Sequence, residues 1–440
     1  MKKMVILLPA LLAVLLLQGQ SALDLSVEEA RQMALQHQAE FQIRKLDQQI
    51  ADLEFRQGRR RFLPQWTISY DARANLILPT TIVPGEPFDQ PQNLPVQFGT
   101  LYTQAAGIEL EQTVYDRALR EDQRLLSLNR QIAAAQTALG QDDSQLAAVK
   151  AYYNVLVQRA RLQQQEAAIA RLQLDVAETD SMVQAGSAPL IELERFQNAF
   201  KNAILEKDRV RYDIELAEHS LKKITGLPPG QPIRLTDTLD VNRLQATMLL
   251  VPVIDPPQLN DFAAYRLEQL FSARIEEDIV RQKASAAPRI AAYGYFGGQA
   301  FTNALRDDFP WYGVSFVGLR ASWRLNPIWD NPQILPKYQL LKRQSDIRLG
   351  QIEEDLRYNA EQARLKLIQA IDEAEIQVDN VAFARKELDY FYQRFRNKQS
   401  TAKEVMSAEQ DLSRAEIGLL LSVYNVSIVR YEFLKAKGGL

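Results

Sequence analysis

FRNKQSTAKEVMSAEQDLSRAEIGLLLSVYNVSIVRYEFLKAKGGL, residues Phe395 to Leu440, is a polar turn followed by one long helix, and the chain contains the arrangement twice. Moved back by 212 positions, the stretch falls on Val183 to Pro228 with its register kept: Glu192 meets Glu404, Leu193 meets Val405, Ala203 meets Ala415, Tyr212 meets Tyr424 and Gly226 meets Gly438. An internal duplication of that size defines an architecture rather than a local motif.

Both copies carry a heptad. In the second, Val405, Leu412, Leu419, Val426, Phe433 and Leu440 recur every seven residues, with Ala408, Ala415, Ser422, Val429 and Ala436 three positions after the first five. In the first, Leu193, Phe200, Ile214 and Leu221 form one row and Phe196, Ala203, Val210, Ala217 and Ile224 the other. A strict period of seven marks helices that supercoil against neighbours, and small residues in one row let the axes approach. Heptads alone would fit an ordinary coiled-coil rod. The strands described below argue against it.

At the other end, Lys2 and Lys3 precede an apolar run from Met4 to Leu17 and the small or polar residues Gly19, Gln20, Ser21 and Ala22. That is the pattern of a secretory signal peptide over residues 1–22, with cleavage after Ser21 or Ala22. The run is about 14 residues long, short of the roughly 20 that span a bilayer. No other stretch reads as a membrane helix, so a membrane role calls for β-strands. The chain has no cysteine, which removes disulfides, thiolate metal sites and a lipidated N-terminal Cys. His37 and His219 are the only imidazoles and read as surface residues. A net charge of -3 indicates no nucleic-acid partner.

Ser26 can cap a helix running from about Leu25 to Arg60, with Glu29 completing a capping box. From Trp66 the period changes to two: Trp66, Ile68, Tyr70, Ala72, Ala74, Leu76 and Leu78 alternate with Thr67, Ser69, Asp71, Arg73 and Asn75. A loop with Pro79, Pro84, Pro87, Pro91 and Pro95 is too proline-rich for helix or sheet. A second alternating run follows, Ala106, Ile108, Leu110 and Val114 against Glu109, Glu111 and Thr113. A proline-free heptadic helix extends from Asp116 to Met182, and at 1.5 Å per residue it reaches roughly 100 Å. The tip Gln184, Ala185 and Gly186 turns it into the next helix, which begins around Pro189.

Residues 225–257 are rich in Pro and Gly and link two halves, 23–224 and 258–440. The second half repeats the plan: a helix from Leu259 to Ser285, a strand through Ile290, Ala292, Gly294 and Phe296, a loop with Asp307, Asp308 and Pro310, and a strand that alternates Val317, Leu319, Ala321, Trp323 and Leu325 with Arg320, Ser322 and Arg324. A helix from Tyr338 to about Asn397 then reaches the second tip, Lys398 to Lys403. Trp66, Trp311, Trp323 and Trp329 all lie in or beside the strands, as aromatics border the lipid band of a membrane β-barrel. On that reading Trp66, Ile68, Leu319 and Trp323 face lipid, with Trp66, Trp311 and Trp323 as membrane-interface aromatics, and Glu109, Glu111, Arg320 and Arg324 face the lumen. The loops at Pro79 to Gly99 and Gln299 to Pro310 then lie outside the cell. The alternative is a soluble antiparallel sheet, but no spare amphipathic helix is evident to cover it.

With these elements placed, the chain resembles the TolC-type outer-membrane efflux protein family over essentially its whole mature length. Leu25-Ser-Val-Glu-Glu-Ala30 and Tyr265-Arg-Leu-Glu268 resemble the helix starts of the two halves, and Gly186 to Leu193 resembles the tip motif. In the second tip Lys398 stands where glycine is usual, and Glu404-Val405-Met406-Ser407-Ala408 replaces Asp-Val-Leu-Asp-Ala. The resemblance implies a trimeric outer-membrane β-barrel, four strands per chain, continued by a long periplasmic α-helical barrel. It places Glu404 and Ser407 at the periplasmic gate, and Gly186, Ser187, Glu192, Lys398 and Ser400 at tips that meet a periplasmic adaptor protein. Four strands close no barrel, since roughly eight is the working minimum, so an oligomer is required independently.

The expected function is a passive exit duct of a tripartite efflux pump or type I secretion system, without cofactor or metal, joined to an inner-membrane transporter through the adaptor. No phosphate-cradling loop or acid, base and nucleophile set suggests an enzyme. The alternative is a periplasmic coiled-coil adaptor or structural scaffold, which would lack paired strands with aromatic borders. Cargo, whether drug, metal, polypeptide or polysaccharide, is not written in these motifs.

Overall fold

In the computed structural model, which describes residues 22–84, 92–239, 258–304 and 310–438, Ser26 opens the first helix. Its hydroxyl accepts from the Glu29 N–H while the Glu29 carboxylate accepts from the Ser26 N–H, the expected capping box. The helix is divided: α1 (Val27–His37) ends at Gln38, whose backbone is extended, and α2 (Ala39–Arg60) follows. The break is held by Gln42, whose amide donates to the free carbonyls of Leu35 and Gln36 at 2.7 and 2.9 Å. Both histidines are exposed.

In chain order the elements are β1 (Leu23–Leu25), α1, α2, β2 (Gln65–Ala74), β3 (Thr80–Val83), β4 (Leu94–Gln97), β5 (Tyr102–Tyr115), α3 (Arg117–Gln184), α4 (Leu190–Thr225), β6 (Ile233–Leu235), α5 (Ala263–Ala284), β7 (Arg289–Thr302), β8 (Trp311–Ser322), α6 (Asn326–Arg396) and α7 (Ala402–Ala436). The expected signal peptide, apart from Ala22, lies outside the described residues, as do most of the linker and the loop aspartates Asp307 and Asp308. Two compact units result, one from residues up to 46, 134–267 and 349 onward, the other from 47–133 and 268–348.

The second unit is built on a four-stranded antiparallel sheet in the order β2-β5-β7-β8. Both halves of the chain therefore contribute to one sheet, and among the described residues β2 and β8 each have one edge without a partner strand. Val114 does not continue the face of Ala106, Ile108 and Leu110, because a bulge between Thr113 and Tyr115 displaces it. The proline-rich loop, read as free of sheet, contains the antiparallel ribbon β3-β4 with Ile82 opposite Pro95. A two-stranded ribbon is all edge, and an edge tolerates a residue that cannot donate. The strand expected to run to Leu325 stops at Ser322, so Trp323 and Arg324 lie beyond the sheet, with the Trp323 indole donating to Ala286 O at 2.8 Å. The helix expected from Tyr338 begins at Asn326 and passes through Pro332 and Pro336. The Gln282 side-chain amide of α5 donates to Asn331 Oδ1 at 2.9 Å and the Asn331 amide donates to the Gln282 backbone carbonyl at 3.3 Å, which anchors this proline-containing turn.

The first unit is helical. Part of the expected linker forms β6, which pairs in parallel with β1. Beside this pair a core of Leu25, Ala30, Val149, Tyr152, Val155, Leu221 and Ile428 closes over the Tyr152 hydroxyl, 2.9 Å from Leu25 O and 2.8 Å from the Asp237 carboxylate. The heptad rows build two further cores. Val405, Ala408 and Leu412 pack with Leu172, Phe196, Val381, Leu388 and Phe395. Val426, Val429 and Phe433 pack with Leu367, Ile371 and Ala374. Helix α7 is long and apolar enough to cross a membrane, which the sequence reading denied of every stretch past the leader. Val405, Ala408, Leu412, Val426, Val429 and Phe433 of its heptad rows are nevertheless buried in the two cores.

Candidate functional site

The two tips are the same turn built on different residues. After α3, Gly186 adopts φ 69°, its N–H donates to Val183 O at 2.9 Å and the Ser187 N–H reaches Met182 O at 2.8 Å. After α6, Lys398 adopts φ 58°, its N–H donates to Phe395 O at 2.9 Å and the Gln399 N–H reaches Arg394 O at 2.8 Å. This left-handed helix end favours glycine. Among the described residues Lys398 is the only non-glycine with positive φ. The Ser187 hydroxyl donates to Met182 O at 2.9 Å.

The helix starts after the tips diverge, and the cause is the capping residue. Thr401 caps α7 in a capping box with Glu404. One oxygen of Glu404 accepts from the Thr401 N–H at 2.8 Å, the Thr401 hydroxyl at 3.0 Å and the Ser400 hydroxyl at 2.8 Å. These donors hold its exposed carboxyl below the usual glutamate range, the Thr401 N–H foremost. Ser407, one turn on, is exposed on the same side of the helix. At the equivalent start of α4 the cap is Pro189, which offers no side-chain hydrogen bond. Glu192 instead turns across to α7: its carboxylate accepts from the Ala402 N–H at 2.7 Å and from Arg195 at 3.2 Å, and only 9% of the residue is exposed. Gly186, Ser187, Lys398 and Ser400 stay at the open end of the turns, whereas Glu192 is a brace between the hairpins.

Behind the tips lies a buried polar cluster that sequence reasoning missed. The Tyr392 hydroxyl of α6 donates to the Asp175 carboxylate of α3 at 2.6 Å and lies 3.3 Å from Glu409 of α7. Arg171 of α3 makes a two-point contact with Glu409 at 2.9 and 3.3 Å. Burial pushes the Asp175 carboxyl up to about 6, against the opposing Tyr392 hydrogen bond, and burial also raises the Tyr392 hydroxyl. Nearer the turn, Arg396 binds Glu178 at 3.1 and 3.3 Å. The cluster ties three helices by contacts between residues more than 200 positions apart. Only polar residues placed on apolar heptad faces could have signalled it.

The sheet of the other unit has two unlike faces. Register puts Trp66, Leu110, Gly294 and Val317 in one row and Thr67, Glu109, Tyr295 and Phe316 in the next. Trp66, Ile68, Phe296, Val317 and Leu319 therefore share a face on which they are 69, 82, 74, 90 and 75% exposed. Trp311, at the start of β8, is on that same face. Glu109, Glu111 and Arg320 share the opposite face, where Arg289 pairs with Glu111 at 2.7 Å. Arg324 and Trp323 belong to neither, because the strand ends before them.

No protein-family model and no curated protein sequence matches the chain. Solved structures do. The chain superposes on CusC, described for its folding and transmembrane channel formation, with a TM-score of 0.74 at 14% identity, covering 94% of this chain and 92% of that one. It superposes on the outer membrane protein VceC of Vibrio cholerae with a TM-score of 0.72 at 13% identity, covering 94% and 96%. The open state of the MtrE outer membrane channel of Neisseria gonorrhoeae gives 0.72 at 13% identity, covering 94% and 89%. Over nearly its whole length, then, this chain has the fold of the solved outer-membrane channels, as the TolC-type resemblance implies.

Proposed function

We propose that the chain is one protomer of a trimeric outer-membrane exit duct, with its sheet in the lipid and its helical hairpins in the periplasm. The observation that carries this reading is the sheet face bearing Trp66, Ile68, Phe296, Val317 and Leu319, all more than two-thirds exposed. So much contiguous apolar surface is costly in water and favourable in hydrocarbon. Trp66 pairs at the level of Val317, and Trp311 lies six residues further along β8, about 20 Å at strand spacing. That distance suits aromatic girdles at the two edges of a membrane band.

The open edges of β2 and β8 are joined by further copies: three chains bring twelve strands. The helices support the same assembly. A row on α6 that repeats every seven residues, Ile376, Phe383 and Tyr390, is 60, 67 and 53% exposed and needs a neighbour. Cargo passes down the bore with energy supplied by an inner-membrane transporter, and a periplasmic adaptor engages the tips at Gly186, Ser187, Lys398 and Ser400. Glu404 and Ser407 form the ring nearest the axis and close the duct, with the Tyr392, Asp175, Arg171 and Glu409 cluster holding the closed helices together.

The chain has no cysteine, so single-cysteine labelling tests the placement directly. In reconstituted vesicles Arg320→Cys should react with a charged thiol reagent and Leu319→Cys should not. Equal reaction at the two positions would defeat the reading.

A further inference from the structure

The polar face of the sheet carries an aromatic shelf. β7 places Tyr293 and Tyr295 on it and β8 places Phe316 beside both, with its ring stacked on Tyr295 at 5.5 Å and edge-on to Tyr293 at 6.0 Å. The tyrosines lie flat because glycines face them: a Cβ on Gly107 would meet the Tyr295 ring at 2.4 Å, and one on Gly318 would meet Tyr293 at 2.9 Å. Covering glycine backbone in a sheet is itself a structural use for an aromatic ring. That use accounts for the two tyrosines. It leaves Phe316 unexplained, since its ring covers no glycine and stays 49% exposed.

Two charges on this face, Arg320 and Glu109, have no opposite charge paired with them among the described residues. Glu111 is neutralised by Arg289, and the Arg320 guanidinium sits 4.5 Å from the centre of the Tyr293 ring. The Glu109 carboxylate, on the residue directly opposite Tyr295 in register, makes no hydrogen bond or ion pair with any described residue. A bare carboxylate beside a stacked pair of rings is complementary to an organic cation with a flat apolar part, because aromatic faces and a carboxylate both attract positive charge.

We propose that Tyr295, Phe316 and Glu109 form a binding shelf for aromatic organic cations. This rests on reading that face as the lumen of the duct and specifies the class of cargo the duct accommodates. Phe316 and Tyr295 stack with the flat group while Glu109 neutralises the charge, so the shelf selects for both features together.

The test is calorimetric titration of the full protein in detergent with benzyltrimethylammonium, and with tetramethylammonium and benzyl alcohol as the charge-only and ring-only probes. Benzyltrimethylammonium should bind at least about tenfold more tightly than either control. Glu109→Gln, which keeps size and removes charge, should weaken it by about tenfold, and Phe316→Ser by severalfold. Three equal affinities, or variants that bind as the parent does, would overturn the shelf. Labelling of Val314→Cys and Val317→Cys in vesicles separates the two readings. If Val314→Cys is wet and Val317→Cys protected while the probes go undiscriminated, only the shelf fails. If the labelling is reversed, the lumen assignment fails and the shelf with it.

Discussion

Glu404 and Glu192 occupy equivalent places after the two tips and do different work, because threonine caps one helix and proline the other. Glu404→Gln keeps the acceptor that the capping box uses and removes only the charge. If three such carboxylates ring the axis, their mutual repulsion makes the entrance attractive to cations. The substitution should then reduce block by trivalent cations in bilayer recordings by about tenfold or more. Ser407→Asp should deepen the block by adding a second acidic layer one turn on. Unchanged block in both variants would remove these residues from the gate. Glu192→Gln is not a neutral comparison, since its parent carboxylate holds the first N–H of α7.

Asp175 makes a separate prediction at the same scale. Its carboxyl is pushed up to about 6 from an ordinary 3.8, so the fold favours the protonated form. The stability this contributes is complete below about pH 4 and is lost as pH rises through about 6. Compared with Asp175→Asn, which retains an acceptor for Tyr392, the parent should lose roughly 1–3 kcal/mol between pH 4 and pH 7. Thermal unfolding of the two proteins across that window measures the difference, and parallel curves would contradict it.

At the level of elements, the tips show what a turn demands of sequence. Gly186 has open space around it, so its constraint is purely the backbone conformation. Lys398 adopts the same conformation with a side chain, which costs about 1 kcal/mol. Lys398→Gly should therefore raise the unfolding temperature by a few degrees and Gly186→Ala should lower it by a similar amount. The helices and tips were legible because heptads and caps are local signals. The β1-β6 pair was not, since three-residue strands carry no usable period. The start of α6 was missed because Pro332 and Pro336 read as breakers, while the Asn331–Gln282 hydrogen bonds holding that turn join distant residues. Alternation placed Glu109 and Leu319 on opposite faces correctly. It could not place Tyr293 and Tyr295, because β7 between residues 291 and 298 is apolar or aromatic on both sides and only pairing with β5 and β8 sets their face.

For the whole molecule, the described residues of one chain leave much unfinished: two strand edges without partners among them, a broad exposed apolar sheet face and an exposed heptad row on α6. On the proposed reading, further copies of the same chain would complete each of them, and lipid would cover the sheet face. The need for more than one chain was legible in the sequence, since four strands close no barrel, whereas the number of copies comes only from the family resemblance. The most direct measurement is the native mass of the purified protein in detergent micelles. The expected result is a complex of three chains, and a protein that remains monomeric would contradict the duct.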